Sequence, residues 1–236
     1  MPFEREIHPS YLPNNIKSFQ QIKNSITSHR GCFGGCNFFA IGLHQGKTIR
    51  SHGKGSIKNE IKTLAEKKYF KGTISDVGGP TANMYGMYCK IDISDKCKRN
   101  SCLYPKICKY LEYSHTEYKA LLWEVFQSQN VKNVFIGSGI RFDLALKDRE
   151  FIKQVAENQT SGLLKLAPEH ISEEVLEKMN KPSFSYYRNF VDLFIEFSKK
   201  AGKKQFTVPY VIVGHPGEEL KHTIEMAFFL KKIILN

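Results

Sequence analysis

Ser25-Ile26-Thr27-Ser28-His29-Arg30-Gly31-Cys32-Phe33-Gly34-Gly35-Cys36 is a short β-prone run that opens into a glycine-rich loop with two cysteines. From Ser56 to Lys68, Ile57, Ile61 and Leu64 recur at helical spacing, so a helix follows the loop. The unit then repeats. Thr73 to Val77 leads into Gly78-Gly79-Pro80, and Val134-Phe135-Ile136 leads into Gly137-Ser138-Gly139. Leu163 to Ala167 precedes Pro168, and Phe206 to Val213 precedes Gly214-His215-Pro216-Gly217. Helical patterns lie between these runs, through Tyr118, Leu121, Leu122 and Val125, through Phe151, Ile152 and Val155, and through Phe190, Leu193, Phe194 and Phe197. The last stripe is core. Strands alternating with amphipathic helices imply parallel strands joined by crossovers, with functional loops at the carboxyl ends of the strands. That rule places Cys32, Gly78, Ser138, Glu169 and His215 on one rim.

The expected fold is therefore α/β, a partial (β/α) TIM-like barrel of five strands. Its final helix carries Met226, Phe229, Leu230 and Ile233 on one stripe, and no strand follows, which leaves an unpaired edge. Residues 1–24, with prolines at 2, 9 and 13 and no sustained period, read as a lead-in segment. Residues 25–236 read as an incomplete core domain with a cysteine-rich insertion at about 86–112.

With 236 residues and 41% hydrophobic content the chain has material for one large α/β domain. Thirty-five Lys and Arg against 23 Asp and Glu give a net charge of +12, enough to attract a polyanion. The basic residues are spread along the chain without an arm or tail, and no recognition motif accompanies them, which counts against a nucleic-acid interface. No run approaches the roughly 18 to 20 apolar residues of a membrane span, and the first thirty residues lack a signal-peptide core. A cytoplasmic location follows as an expectation. In that reducing compartment six cysteines in two tight groups read as metal ligands or reactive thiols rather than disulfides.

Thiolates are soft, charged donors for iron, and Gly31, Gly34 and Gly35 let backbone wrap closely around a cubane cluster. The second group, Cys89, Cys97, Cys102 and Cys108, lies among Lys90, Lys96, Lys98, Arg99, Lys106 and Lys109, whose charge favours thiolates. Four cysteines complete one tetrahedral zinc site or one cubane. The irregular gaps lack the paired short spacing of zinc ribbons and lean toward iron-sulfur. Free thiols in a basic loop are the plainer alternative.

The chain resembles the YgiQ family of radical S-adenosylmethionine (SAM) proteins. The motifs are Ser28-His29-Arg30-Gly31-Cys32-Phe33-Gly34-Gly35-Cys36, Ser75-Asp76-Val77-Gly78-Gly79-Pro80-Thr81-Ala82-Asn83-Met84, Ala167-Pro168-Glu169-His170 and Gly214-His215-Pro216-Gly217. Family members are much longer, so the chain resembles an excised core lacking the last strand. The resemblance implies a 4Fe-4S cluster that cleaves SAM reductively to a 5′-deoxyadenosyl radical, with the substrate unknown. It implies Cys32, Cys36 and position 39 as ligands in a C-x3-C-x2-C loop. Position 39 is Phe39, so activity is expected to be impaired or absent. No spacing rule supports His29 or His44 as a replacement. By the same resemblance Phe38 packs near the adenine, the Gly78-Gly79 turn meets the methionine amino group, and Ser138, Arg141 and Glu169 supply polar contacts to SAM. An active protein also needs an electron donor, and a separate chain is a candidate source of the missing flanks. The alternative is a non-catalytic remnant that binds iron-sulfur or zinc through the later four cysteines.

Three further groups have two readings each. Glu169-His170 is an acid-base pair or His170 is structural, and His215 is similar. Asp76 binds a ribose hydroxyl or caps the following turn. Gly78-Gly79-Pro80 lacks the lysine and third glycine of phosphate loops.

Overall fold

The computed structural model describes residues 8–12, 16–91 and 97–234. Much of the lead-in segment and residues 92–96 of the cysteine-rich insertion lie outside them. Helix α1 (Lys17–Ile22) precedes strand β1 (Ser25–Thr27), which runs through β2 (His29–Arg30) into the first cysteine loop. After α2 (Ile41–His44), β3 (Arg50–Ser51) returns antiparallel to β2. Helix α3 (Lys54–Ala65) follows, burying Ile57, Ile61 and Leu64 on one face. That is the stripe its 3.6-residue period presents.

Strands β4 (Thr73–Ile74) and β5 (Asp76–Gly78) are one extended run broken at Ser75. This run pairs on one side with β1 and on the other with β8 (Asn133–Val134), both parallel. Between them lie an antiparallel hairpin, β6 (Tyr88–Cys89) with β7 (Leu111–Glu112), and helix α4 (Thr116–Phe126). Tyr118 on α4 is fully buried and donates its hydroxyl to the Val77 carbonyl at 2.6 Å, tying the helix to β5. Helices α5 (Phe142–Ala145) and α6 (Arg149–Gln154) precede β9 (Leu163–Glu169), and α7 (Glu173–Lys178) and α8 (Phe184–Lys200) precede β10 (Phe206–Val211). Strands β9 and β10 pair parallel. The last element is α9 (Leu220–Ile234).

Five parallel runs thus follow chain order, as the alternating pattern implies. The two parallel groups are linked where the Ile136 amide donates to the Gln159 carbonyl at 2.9 Å, just before β9. Strand pairing does not pass through this point, and no strand pair closes a barrel among the described residues. The observed architecture is a set of short parallel pairs, and the barrel of the sequence reading is not formed by them. The outer edge of β10 has no strand partner among the described residues, and α9 exposes Leu220, Ile224 and Phe228 at four-residue spacing.

One core holds both groups together. Ile26, Ile74, Val77, Val134, Leu164 and Leu166 from the strands meet Phe151, Phe190 and Phe194 from the helices, all nearly inaccessible. Full burial of such a side chain contributes about 1.5–3 kcal/mol relative to exposure. Strand β9 alternates, with Leu164 and Leu166 inward and Leu163 and Lys165 outward, so the pleat sets which face carries the site.

Candidate functional site

The carboxyl ends of β1, β5 and β9 and the turn after β8 share one rim, as the alternation rule requires. The first cysteine loop lies across it and is held from two sides. The turn after α7 clamps it, with the Asn37 amide donating to Met179 O at 3.1 Å and Asn180 Nδ2 donating to Gly35 O at 3.1 Å. From the cysteine-rich insertion, Ser101 Oγ donates to Gly34 O at 2.6 Å and the Cys102 amide to Phe33 O at 3.0 Å. Gly35 has a φ of +60°, and a Cβ there would collide with Asn100 O, so no side chain fits this contact.

Cys32 and Cys36 converge. A Cβ built on Gly34 would lie 3.3 Å from Cys32 Sγ, 3.5 Å from Cys36 Sγ and 3.3 Å from Arg141 Nη1. Arg141 Nη1 is 3.7 Å from Cys36 Sγ, and its Nε donates to Asp143 Oδ1 at 2.7 Å. Asn83 holds the Arg141 backbone, accepting its amide at 2.8 Å and donating to its carbonyl at 3.1 Å. Burial opposes the guanidinium's charge, but Asp143 and the Cys36 sulfur outweigh it and hold its pKa above the ordinary value. Its Nη2 is buried and has no hydrogen-bond partner.

A second buried cation stands beside it. Lys181 Nζ donates to Ala167 O at 2.7 Å and lies 3.8 Å from Glu169 Oε1. Burial, and then Arg141, lowers the lysine's pKa. Burial raises that of Glu169, against the pull of Lys181 and Arg141. Glu169 has a φ of +69°, a conformation that costs a non-glycine residue about 1–3 kcal/mol. This strained, charged end of β9 faces the cysteine loop. The sequence reading missed Lys181 and Asp143, because nothing in their neighbours marks either as inward-facing; the Pro182 that ends the turn was the only local signal.

On the other side of the rim Asp76 Oδ1 accepts from the Gly137 amide at 2.9 Å and the Ser138 amide at 3.0 Å, while Oδ2 accepts from Ser138 Oγ. Asp76 therefore caps the turn after the neighbouring strand β8, and not its own following turn. Burial raises its pKa against these hydrogen bonds. A Cβ on Gly78 would collide with Ser138 Oγ and stand 2.7 Å from both Asp76 oxygens. A cavity of ≈ 260 Å³ opens here, lined by His29, Gln45, Asp76, Gly78, Gly79 and Ser138 among others. Burial drives His29 down to about 4.

Phe38 packs against the core and meets His215 edge-on at 6.4 Å between centroids. Phe39 is 55% exposed, its ring 4.6 Å from that of Phe38. Among the described residues no three His, Cys, Asp or Glu side chains form a group that could hold a metal ion, so neither His29 nor His44 joins the two thiols. The donor set at this loop is two thiols and does not fit a cluster that needs three protein ligands. Glu169 and His170 also part company. Glu169 faces Lys181, whereas His170 Nδ1 accepts from the Ser172 amide at 2.9 Å and its Nε2 lies 3.4 Å from Glu218 Oε1. They are not an acid-base pair, and His170 is structural.

The later cysteines gather beside the loop. Cys89 pairs with Leu111 across the hairpin, the Cys108 amide donates to Cys102 O at 2.7 Å, and Cys102 and Cys108 pack on the cluster of Phe33, Met84 and Leu144. Burial, then the thiols of Cys108, Cys97 and Cys89, pushes the Cys102 thiol up to about 11 against the pull of Arg99. At Cys102 the nearby basic residues do not outweigh burial, against the expectation that their charge favours the thiolate. Arg99 is occupied by backbone, donating to Ser101 O at 3.0 Å and Lys106 O at 3.1 Å.

No protein-family model matches the chain. A protein of Methanosarcina acetivorans is 45% identical over 232 residues, covering 98% of this chain and 31% of its own length. One from Methanocella arvoryzae is 46% identical over 232 residues, with 98% and 39% covered. One from Clostridium botulinum strain 657 is 45% identical over 237 residues, with 99% and 37% covered. These homologues are UPF0313 proteins. The chain spans about a third of the length of the UPF0313 relatives it matches. Two solved structures of TsrM from Kitasatospora setae share the fold, each with a TM-score of 0.56, 16% identity, and coverage of 97% of this chain and 38% of that one. TsrM is a radical SAM methyltransferase, seen in one structure with tryptophan and the SAM analogue aza-SAM and in the other with cobalamin and a [4Fe-4S] cluster. No helix among the described residues is long and apolar enough to cross a membrane.

His29 and His115 make the fold sensitive to acid. Burial lowers both to about 4. Below the ordinary value near 6.5 the unfolded chain binds protons that the folded chain refuses, so stability falls as pH drops from 6.5 toward 4. Each histidine contributes a slope of up to about 1.4 kcal/mol per pH unit, and the raised carboxyls of Asp76 and Glu169 oppose it toward the lower end. Urea midpoints should decline between about pH 7 and pH 5.5, and His115→Gln should remove part of the decline, the rest belonging to His29 and to His170, which burial also lowers. An unchanged slope in that variant would remove His115 from the account.

Proposed function

We propose that the chain is the core of a YgiQ-type radical SAM protein that keeps a SAM-binding rim but has lost reductive cleavage of SAM with its third cluster ligand. The carrying observation is the convergence of Cys32, Cys36 and Arg141 Nη1 over Gly34, with Nη2 of the same guanidinium unsatisfied and Phe39 turned to solvent. A buried guanidinium donor without a partner is costly, and an anionic group such as the SAM carboxylate would satisfy it. The Gly78-Gly79 turn, Ser138 and Glu169 stand on the same rim, and Phe38 offers its ring to the adenine. The fold shared with TsrM supports this assignment of the scaffold. The rim is tested by equilibrium dialysis with labelled SAM. Saturable binding is expected in the native chain, and at least a tenfold loss in Gly78→Ala, whose added methyl displaces Ser138 and Asp76. Ser138→Ala, which adds no atoms, should weaken binding less. Absence of binding in a folded native chain would end the proposal.

A second reading has its own observation. The hairpin and the Cys108 to Cys102 hydrogen bond bring Cys89, Cys102 and Cys108 into one segment beside the loop, which favours a non-catalytic iron-sulfur or zinc site in a remnant of the enzyme, although no three of these side chains form a ligand group among the described residues.

A further inference from the structure

A large cavity lies at the other end of the strands. It measures ≈ 1000 Å³ and is lined by the amino ends of β8, β9 and β10 and by the last turn of α4. It occupies the place where strand pairing fails between β8 and β9. Since β9 has seven residues, about 20 Å of strand separates it from the cysteine rim, and the two cannot share a small ligand.

Its lining is specific in three respects. Trp123 and Phe126, 62% and 43% exposed, stand with centroids 6.1 Å apart and give it an aromatic wall. Five lysines line it against two glutamates; Lys119 and Lys153 pair with Asp148 and Glu150, whereas Lys132, Lys203 and Lys204 have no carboxylate partner among the described residues, Lys203 Nζ donating instead to Glu157 O. Gln159, only 6% exposed, keeps its Oε1 without a hydrogen-bond partner. Its position comes from a π-helical turn, Val155–Gln159, that ends α6 out of α-helical register, a feature frequent at functional sites.

We propose that this cavity binds a nucleotide whose base stacks on Trp123, whose phosphate is held by Lys203 and Lys204, and whose exocyclic amino group donates to Gln159. An aromatic face beside cations that no carboxylate neutralises is the arrangement by which proteins hold bases and phosphates without sequence motifs. Spread through the sequence, the +12 charge gave no sign of such a site; the fold gathers part of it around the chain's single tryptophan. The proposal is independent of SAM binding at the cysteine rim.

Trp123 reports directly, because all tryptophan emission comes from it. Titration with adenosine monophosphate and with oligoadenylate should quench that emission saturably. Adenosine monophosphate acting alone identifies a free nucleotide as the ligand, whereas response to oligoadenylate only identifies a nucleotide within a chain. Lys203→Glu with Lys204→Glu should weaken binding at least about tenfold, and uridine monophosphate, which lacks the amino group, should bind more weakly than adenosine monophosphate. If that double variant does not fold, Lys132→Glu and the salt dependence of the native chain replace it, with quenching expected to weaken as salt rises. No saturable quenching by either probe, or equal quenching in the charge-reversed and native chains, overturns the proposal.

Discussion

Phe39→Cys is expected to confer a cluster-binding first loop on a chain that lacks one. In a background with Cys89, Cys97, Cys102 and Cys108 changed to alanine, anaerobic reconstitution should yield about four iron and four sulfide per chain in the Phe39→Cys variant and almost none where Phe39 is kept. The physical reason is ligand count. Cys32 and Cys36 already converge over Gly34, and the loop is clamped by Asn180 and Ser101 on either side. Phe39 follows Cys36 by three residues, its amide donating to Cys36 O at 3.4 Å in a tight turn, and its ring is exposed, so replacing it costs little core packing. Formation of 5′-deoxyadenosine from SAM under reducing conditions should accompany the iron. A cysteine variant that stays free of iron would show that the scaffold has lost more than one ligand.

Arg141→Leu should be the most destabilising single substitution at the rim, by about 3–5 kcal/mol. Removing the guanidinium leaves Asp143, itself only 6% exposed, without the cation that it accepts from at 2.7 Å. It also leaves Lys181 and Glu169 to balance each other without their buried neighbour. The double substitution Arg141→Leu with Asp143→Leu should recover part of the loss, because replacing both members of a buried pair spares the unpaired charge. Urea unfolding of the two variants decides this, and equal losses in both would show that the pair is not the source of the stability.

The alternation of strand and helix was legible because each apolar run meets a glycine or proline at or soon after its end and the longer helices show their stripes. The rim followed from the topology, which put Cys32, Gly78, Ser138 and Glu169 where parallel strands end. What could not be read is pairing at a distance. Nothing near Lys181 or Asp143 in the sequence indicates that they meet Arg141, and the π-helical turn that brings Gln159 to the cavity has no periodic signature. Asp76 looked like a local cap and serves the turn 61 residues later. Closure toward a barrel does not follow from alternation, which predicts parallel neighbours but not that β8 and β9 will pair; among the described residues the two groups are linked by the Ile136 to Gln159 bond and not by a strand pair. The effect of charge at Cys102 was misjudged for a similar reason. Proximity in sequence does not show that Arg99 spends its donors on carbonyls.

Two thiols at the first loop are too few for a cluster, and under the function proposed above any metal that the chain binds is held at the later cysteines. Iron, sulfide and zinc should be measured on the anaerobically reconstituted chain beside the variant in which Cys89, Cys97, Cys102 and Cys108 are replaced by alanine. Metal that is bound by the native chain and absent from the variant is the predicted result. Retention of about four iron and four sulfide by the variant would contradict it, because Cys32 and Cys36 would then have found a third ligand.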